Sequence, residues 1–167
     1  MVHNRTKYLA RMALLLSLAS VMGYLEALIP LNIGIPGIKL GLANYVVVLV
    51  MYLFGVRDAV MISILRIFLV GFMLSNLSMI LYSLAGAVLS LTVMALLKRT
   101  KHTSVYGVSA AGGVMHNVGQ FLAAGMLTGF RAVAWYLPVL LIAGLLTGLL
   151  IGFLVSVSRD RLQKIIK

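Results

Sequence analysis

The sequence predicts an all-α integral membrane protein, a bundle of about six transmembrane helices with both termini in the cytoplasm. Three observations predict it. The chain is 62% hydrophobic and only 10% charged, whereas a soluble domain is about half apolar and about a quarter charged. Its apolar residues gather in runs, several of them near the roughly 20 residues that cross a hydrocarbon core. Its cations stand between and beyond those runs and fall overwhelmingly on one side. At 167 residues the natural reading is one domain spanning 1–167.

The first run, about residues 9–29, follows Arg5, Lys7 and Arg11. It is too long for a signal-peptide core and no A-x-A cleavage site follows, so it reads as an uncleaved first helix. Pro30, Gly34, Pro36 and Gly37 then predict an ordered non-helical loop. The second run, 40–54, ends at Gly55-Val56-Arg57-Asp58. Residues 59–97 are nearly all apolar and long enough for two spans, 59–75 and 77–97, with a tight reversal at Ser75-Asn76. The basic stretch Lys98 to His102 closes the fourth span. The fifth covers 105–127, Gly129-Phe130-Arg131 makes a short turn, and the sixth covers 133–157. Trp135 and Tyr136 stand at its start, where an aromatic belt would place them, and Arg159, Arg161, Lys164 and Lys167 form a basic tail.

Loop charges set the orientation. With the N-terminus inside, the inner side holds Arg5, Lys7, Arg11, Arg57, Lys98, Arg99, Lys101, Arg159, Arg161, Lys164 and Lys167, and the outer side only Lys39 and Arg131. The net charge of +11 therefore reads as loops facing anionic headgroups. No soluble domain remains to bind nucleic acid.

The composition excludes several chemistries. There is no cysteine, hence no disulfide, thiolate metal site or thiol nucleophile. No G-x-x-x-x-G-K-[ST] phosphate loop is present, so ATP is not hydrolysed by that route. The three acids, Glu26, Asp58 and Asp160, are dispersed. They cannot form the carboxylate cluster that a magnesium-dependent diphosphate enzyme needs. No catalytic residue, metal or cofactor is expected, and the chain is read as a non-enzyme.

Polar groups inside hydrocarbon are costly and mark functional interiors. Glu26 lies near the outer end of the first span, Lys39 and Asn44 open the second, and Arg66 is central in the third. His116, Asn117 and Gln120 occupy the fifth, with His116 and Gln120 one turn apart on one face. In the six-span topology they gather in the middle and outer half. The functional reading is an outward-open pocket in which Lys39, Asn44, Arg66, His116, Asn117 and Gln120 bind an anionic or electron-rich ligand. The bland reading pairs Glu26 with Arg66 or Lys39 and treats the amides as interhelical glue. A second pattern lies on the first helix, where Ala13, Ser17 and Ser20, and likewise Ala19 and Gly23, recur at helical spacing. Small residues at that spacing admit a partner helix or simply pack within the bundle.

Three stretches, Pro36-Gly37-Ile38-Lys39-Leu40-Gly41-Leu42-Ala43-Asn44, Tyr82-Ser83-Leu84-Ala85-Gly86 and Gly112-Gly113-Val114-Met115-His116-Asn117-Val118-Gly119-Gln120, resemble the bacterial Gx transporter family. That family is also labelled heptaprenyl diphosphate synthase component I. The likeness runs from about Tyr8 to Ser156. The family is grouped with the substrate-binding S components of energy-coupling-factor (ECF) transporters. Those are six-helix proteins that capture a vitamin-like solute outside and rely on a transmembrane coupling subunit and two ATPases. The resemblance implies these partners, a bacterial cytoplasmic membrane, and a first-helix A-x-x-x-A contact with the coupling subunit. The nearest matches to that contact are Ala13-x-x-x-Ser17 and Ala19-x-x-x-Gly23. Relatives are also linked to quinone and extracytosolic flavin electron transfer. Two functions therefore stand: a substrate-capture subunit of an ATP-driven importer, and a non-catalytic accessory to polyprenyl diphosphate or quinone metabolism.

Overall fold

The structure, a computed structural model, describes residues 2–28, 41–100 and 102–166, with the side chains of Val2 to Asn4, Gln163, Ile165 and Ile166 excepted. The expected loop at Pro30 to Gly37, the candidate ligand Lys39, and Lys101 lie outside the described residues.

The described residues are helical almost throughout. The elements are α1 (Val2–Leu28), α2 (Leu42–Leu53), α3 (Val56–Met73), α4 (Leu77–Arg99), α5 (Val105–Thr128), a single turn α6 (Phe130–Val133), a 3₁₀ turn over Ala134–Tyr136, and α7 (Leu137–Ile166). Three helical stretches are long and apolar enough to cross a membrane: Arg5–Leu28, Leu77–Arg99 and Phe130–Leu162. Large apolar side chains point outward along all three, among them Leu14, Val88 and Leu146.

Helix ends differ from the sequence reading in an instructive way. The basic segments do not stop the helices. α1 already runs through Arg5 and Lys7, and α7 continues through Arg159, Arg161 and Lys164. Lys and Arg are good helix formers, and cations suit a helix C-terminus. Between α3 and α4 the chain reverses at Ser75, which takes φ 50°, and Asn76 caps α4 by accepting from Met79 N–H at 2.9 Å. Ser104 caps α5 in the same way, accepting from Gly107 N–H at 3.2 Å.

The centre of the bundle is α2. Its residues Val46 to Met51 are all buried, as expected of a helix that is apolar all round. It packs against α1, α3 and α7. With twelve residues it is about 18 Å long, well short of a hydrocarbon core of about 30 Å. At its N-terminus Gly41 is buried. α5 packs against α4 on one side and α7 on the other. A Cβ on Gly86 would stand 2.9 Å from the His116 carbonyl oxygen, and one on Gly148 would stand 2.8 Å from Ala110 Cα. These helices approach backbone to backbone because the side chains are missing.

Candidate ligand-binding site

The buried N-terminus of α2 organises the site. Gly41 holds φ 76° and ψ 22° there, a left-handed conformation that glycine adopts without a Cβ penalty. Its N–H donates to Oε1 of Glu26, which α1 carries in and which is only 8% exposed. The carboxylate thus satisfies one orphan donor and sits at the positive end of the α2 dipole. One turn into α2, Asn44 Oδ1 accepts from Arg66 Nη2 of α3 at 3.2 Å. Arg66 Nε is buried and has no hydrogen-bond partner. Gly23 of α1 lies beside this guanidinium, where a Cβ would stand at ordinary contact distance, 3.6 Å, from Arg66 Nη1.

The bland alternative pairs Glu26 with Arg66 or Lys39, and Glu26 lies close enough to Arg66 for its charge to act on the guanidinium. Glu26 spends its side chain on the α2 backbone, and among the described residues the two groups form no direct ion pair. Arg66 therefore keeps its charge and part of its donor capacity facing the interior.

From the other side come α4 and α5. His116, Asn117 and Gln120 all line the same cavity as Arg66, Asn44 and Glu26. Five of the six ligand-binding candidates thus share one cavity, the sixth being Lys39. Asn117 is less free than the sequence suggested, because its Nδ2 donates to the Leu140 carbonyl of α7 at 2.7 Å. That bond ties α5 to α7, as the glue reading holds. The cavity continues inward past Ser90 and Ser109 to Met94. On α5 its lining runs from Ser109 to Gln120 in steps of three and four, a single face about 16 Å long. The enclosed volume is about 60 Å³, inside a cleft of about 980 Å³ counted with its open mouth. A space of that size holds roughly four waters, so the site is a narrow slot.

Sequence reasoning missed the hydroxyls. Ser63, Ser83, Ser90, Ser109 and Thr147 also line the slot. Ser109 Oγ is buried without a partner, whereas Thr147 Oγ1 is committed to the Ala143 carbonyl of its own helix at 2.8 Å. The signal was present in the spacing: Ser83 and Ser90, and Ser109 and His116, stand seven residues apart on one helix face. Among the described residues no group of three or more His, Cys, Asp and Glu side chains could hold a metal.

The small-residue face on α1 divides in two. Ala19 and Gly23 are buried in the bundle, Ala19 within the apolar core and Gly23 against the cavity. They pack against α2 and α3, as the alternative of packing within the bundle holds. Ala13 and Ser17 are exposed, and Ser20 is half-buried with its hydroxyl bonded to the Leu16 carbonyl at 2.8 Å.

Over residues 15–157 the chain matches the family described as heptaprenyl diphosphate synthase component I. It belongs to that family. Comparison with curated proteins and with solved structures found no match. In this member of the heptaprenyl diphosphate synthase component I family, every cavity residue named above falls inside the matched stretch. The basic end of α7, from Arg159 onward, falls outside it.

Proposed function

We propose that the chain is the solute-binding membrane subunit of an ECF importer, capturing a small anionic, isoprenoid-related or quinone-related solute from outside. One observation carries this reading. Arg66 presents a buried, unpartnered Nε to a cavity that also receives the N-terminal end of α2. One guanidinium thus lines the cavity, while the nearby carboxylate, Glu26, is spent on Gly41 N–H at the α2 N-terminus. Broken or short helices whose N-termini point into the interior are a recurrent device for holding anionic groups at mid-membrane depth. The serine hydroxyls and the Gln120 amide supply directional hydrogen bonds around the anion. Coupling to ATP would rest with a transmembrane coupling subunit and ATPases.

The test is to purify the protein gently and identify by mass spectrometry what remains bound. The expected molecule carries a phosphate, carboxylate or quinone-like head. A cationic molecule, or none after mild extraction, overturns the reading.

In this proposal six helices span the bilayer with both ends inside. The outward apolar surface and the loop charges support it. Reporter fusions after Thr103 should read as cytoplasmic, and fusions in the 32–37 loop as external. A cytoplasmic reading for that loop would overturn the topology.

A second reading is favoured by the family description. The chain would then be a non-catalytic accessory that presents a polyprenyl or quinone lipid to a partner enzyme or electron carrier. The exposed pair Ala13 and Ser17 separates the two. If α1 docks on a coupling subunit, Ser17→Leu should abolish its co-purification while leaving the melting temperature unchanged, because the side chain faces outward. Unchanged capture of the coupling subunit would count against docking through this face.

A further inference from the structure

The basic end of the bundle holds a second arrangement that the cavity does not use. Tyr52, at the end of α2, carries Lys98 Nζ 4.9 Å from its ring centroid and the Arg159 guanidinium carbon 5.6 Å from it. Two cations from different helices, α4 and α7, are thus drawn onto one aromatic ring. Lys98 also donates to the Met51 carbonyl, one of the orphan acceptors at the C-terminus of α2. This fixes its position and, among the described residues, leaves two of its three protons without a hydrogen bond. Arg159 Nε is buried with no partner. The remaining acid on the α3 side, Asp58, accepts from Tyr8 Oη at 2.6 Å, and Asp160 on α7 is exposed. Among the described residues, no ion pair joins these like charges to a counter-ion. Solvated Lys and Arg side chains would extend away from one another, so the fold itself holds them together.

We propose that Lys98 and Arg159, assembled around Tyr52, form a binding site for a phosphate group at the basic end of the bundle. The fork of Arg159 and the free ammonium protons of Lys98 match the acceptor oxygens of a phosphate. Exposed Arg57, Arg99 and Arg161 at the same end add to the local positive potential. A phospholipid headgroup supplies this chemistry, because basic pockets between helices on the cytoplasmic side bind anionic lipids. A soluble phosphate compound supplies it equally.

The experiment uses the full chain in nanodiscs of neutral phosphatidylcholine. Phosphatidylglycerol and, separately, inorganic pyrophosphate are added as probes, and retention is read by native mass spectrometry. Arg159→Gln alone and Lys98→Gln with Arg159→Gln are compared with Arg99→Gln combined with Arg161→Gln, which removes the same two charges from exposed positions. Loss of one charge-assisted contact should weaken the favoured probe about tenfold. The expected result is weakening in the Lys98 and Arg159 variants and near-normal retention in the Arg99 and Arg161 pair. Retention of phosphatidylglycerol alone identifies a lipid site, and retention of pyrophosphate identifies a soluble source. Equal loss in both pairs means diffuse surface charge and overturns the proposal, as does no loss in either. Arg159→Gln breaks no hydrogen bond among the described residues, so it keeps the test valid if the double variant folds poorly.

Discussion

Arg66→Met is expected to abolish ligand retention while leaving the protein as stable as before, or more so. Placing a charged centre in a helix at mid-membrane depth costs about 3 kcal/mol on insertion scales. Arg66 recovers little of that within the fold. Its one described hydrogen bond goes to Asn44, its Nε is unsatisfied, and Glu26 is turned to Gly41 N–H. Replacing a poorly compensated buried ion with an apolar side chain of similar length is often neutral or stabilising. A bound anion would be the missing compensation. Removing one partner of a buried charge pair costs about 2–5 kcal/mol of binding, roughly thirtyfold to several thousandfold in affinity. Arg66→Met should therefore melt at or above the wild-type temperature, yet lose the co-purifying molecule.

The double variant Glu26→Gln with Arg66→Met distinguishes the two readings of this pair. If Arg66 served mainly as counter-ion to Glu26, the double change would restore neutrality and binding would survive. The geometry forecasts the opposite, since Glu26 caps α2 and does not contact the guanidinium. His116→Ala should also weaken binding, through loss of a directional contact on the α5 face of the slot. Wild-type affinity in all three variants, within about threefold, would remove the case for this site.

How much of this was legible in the sequence depends on the range of the interaction. Apolar runs and basic loops are local patterns, and they sufficed for an all-helical chain with helices long enough to cross a bilayer. That Arg66 and His116 would line one cavity could be argued only from cost, because a charge in hydrocarbon demands an interior. Two features depend on three-dimensional placement and left no local mark. One is the depth of the α2 N-terminus, which is set by how far the twelve-residue helix reaches among longer neighbours. The other is the choice of partner for Glu26. Charge alone favoured a cation, yet the Gly41 N–H, made available by a left-handed turn, takes the carboxylate. For Ala19 and Gly23 the sequence left a partner helix and packing within the bundle equally open, for a related reason. Small residues report a close approach without saying which helix approaches.

Gly144→Leu is expected to be strongly destabilising at the seam between α5 and α7. Gly144, Gly148 and Gly152 stand four residues apart on α7 and face α5. A Cβ on Gly144 would lie 2.7 Å from the Gly113 carbonyl oxygen and 2.9 Å from Asn117 Nδ2, and a Cβ on Gly152 would lie 2.8 Å from Tyr106 Cα. Most of these obstacles are backbone atoms, which cannot rotate aside as a flexible side chain can. A leucine at 144 must therefore push α5 and α7 apart along the whole seam. The Asn117 to Leu140 hydrogen bond, now 2.7 Å, would stretch and leave a polar amide unsatisfied in an apolar interior, a further cost of about 1–3 kcal/mol. Overpacking typically adds 1–3 kcal/mol, so the total is about 3 kcal/mol or more. For a chain of this size that corresponds to a fall in melting temperature on the order of 10 °C. The matched control is Leu146→Ala, on the same helix but 61% exposed, which should melt within about 1 °C of wild type. The displacement would also move Asn117 and Gln120 relative to Arg66, so ligand retention should fall with stability, unlike in Arg66→Met. If Gly144→Leu melts with the wild type, the backbone contact between α5 and α7 is not what holds this side of the cavity in place.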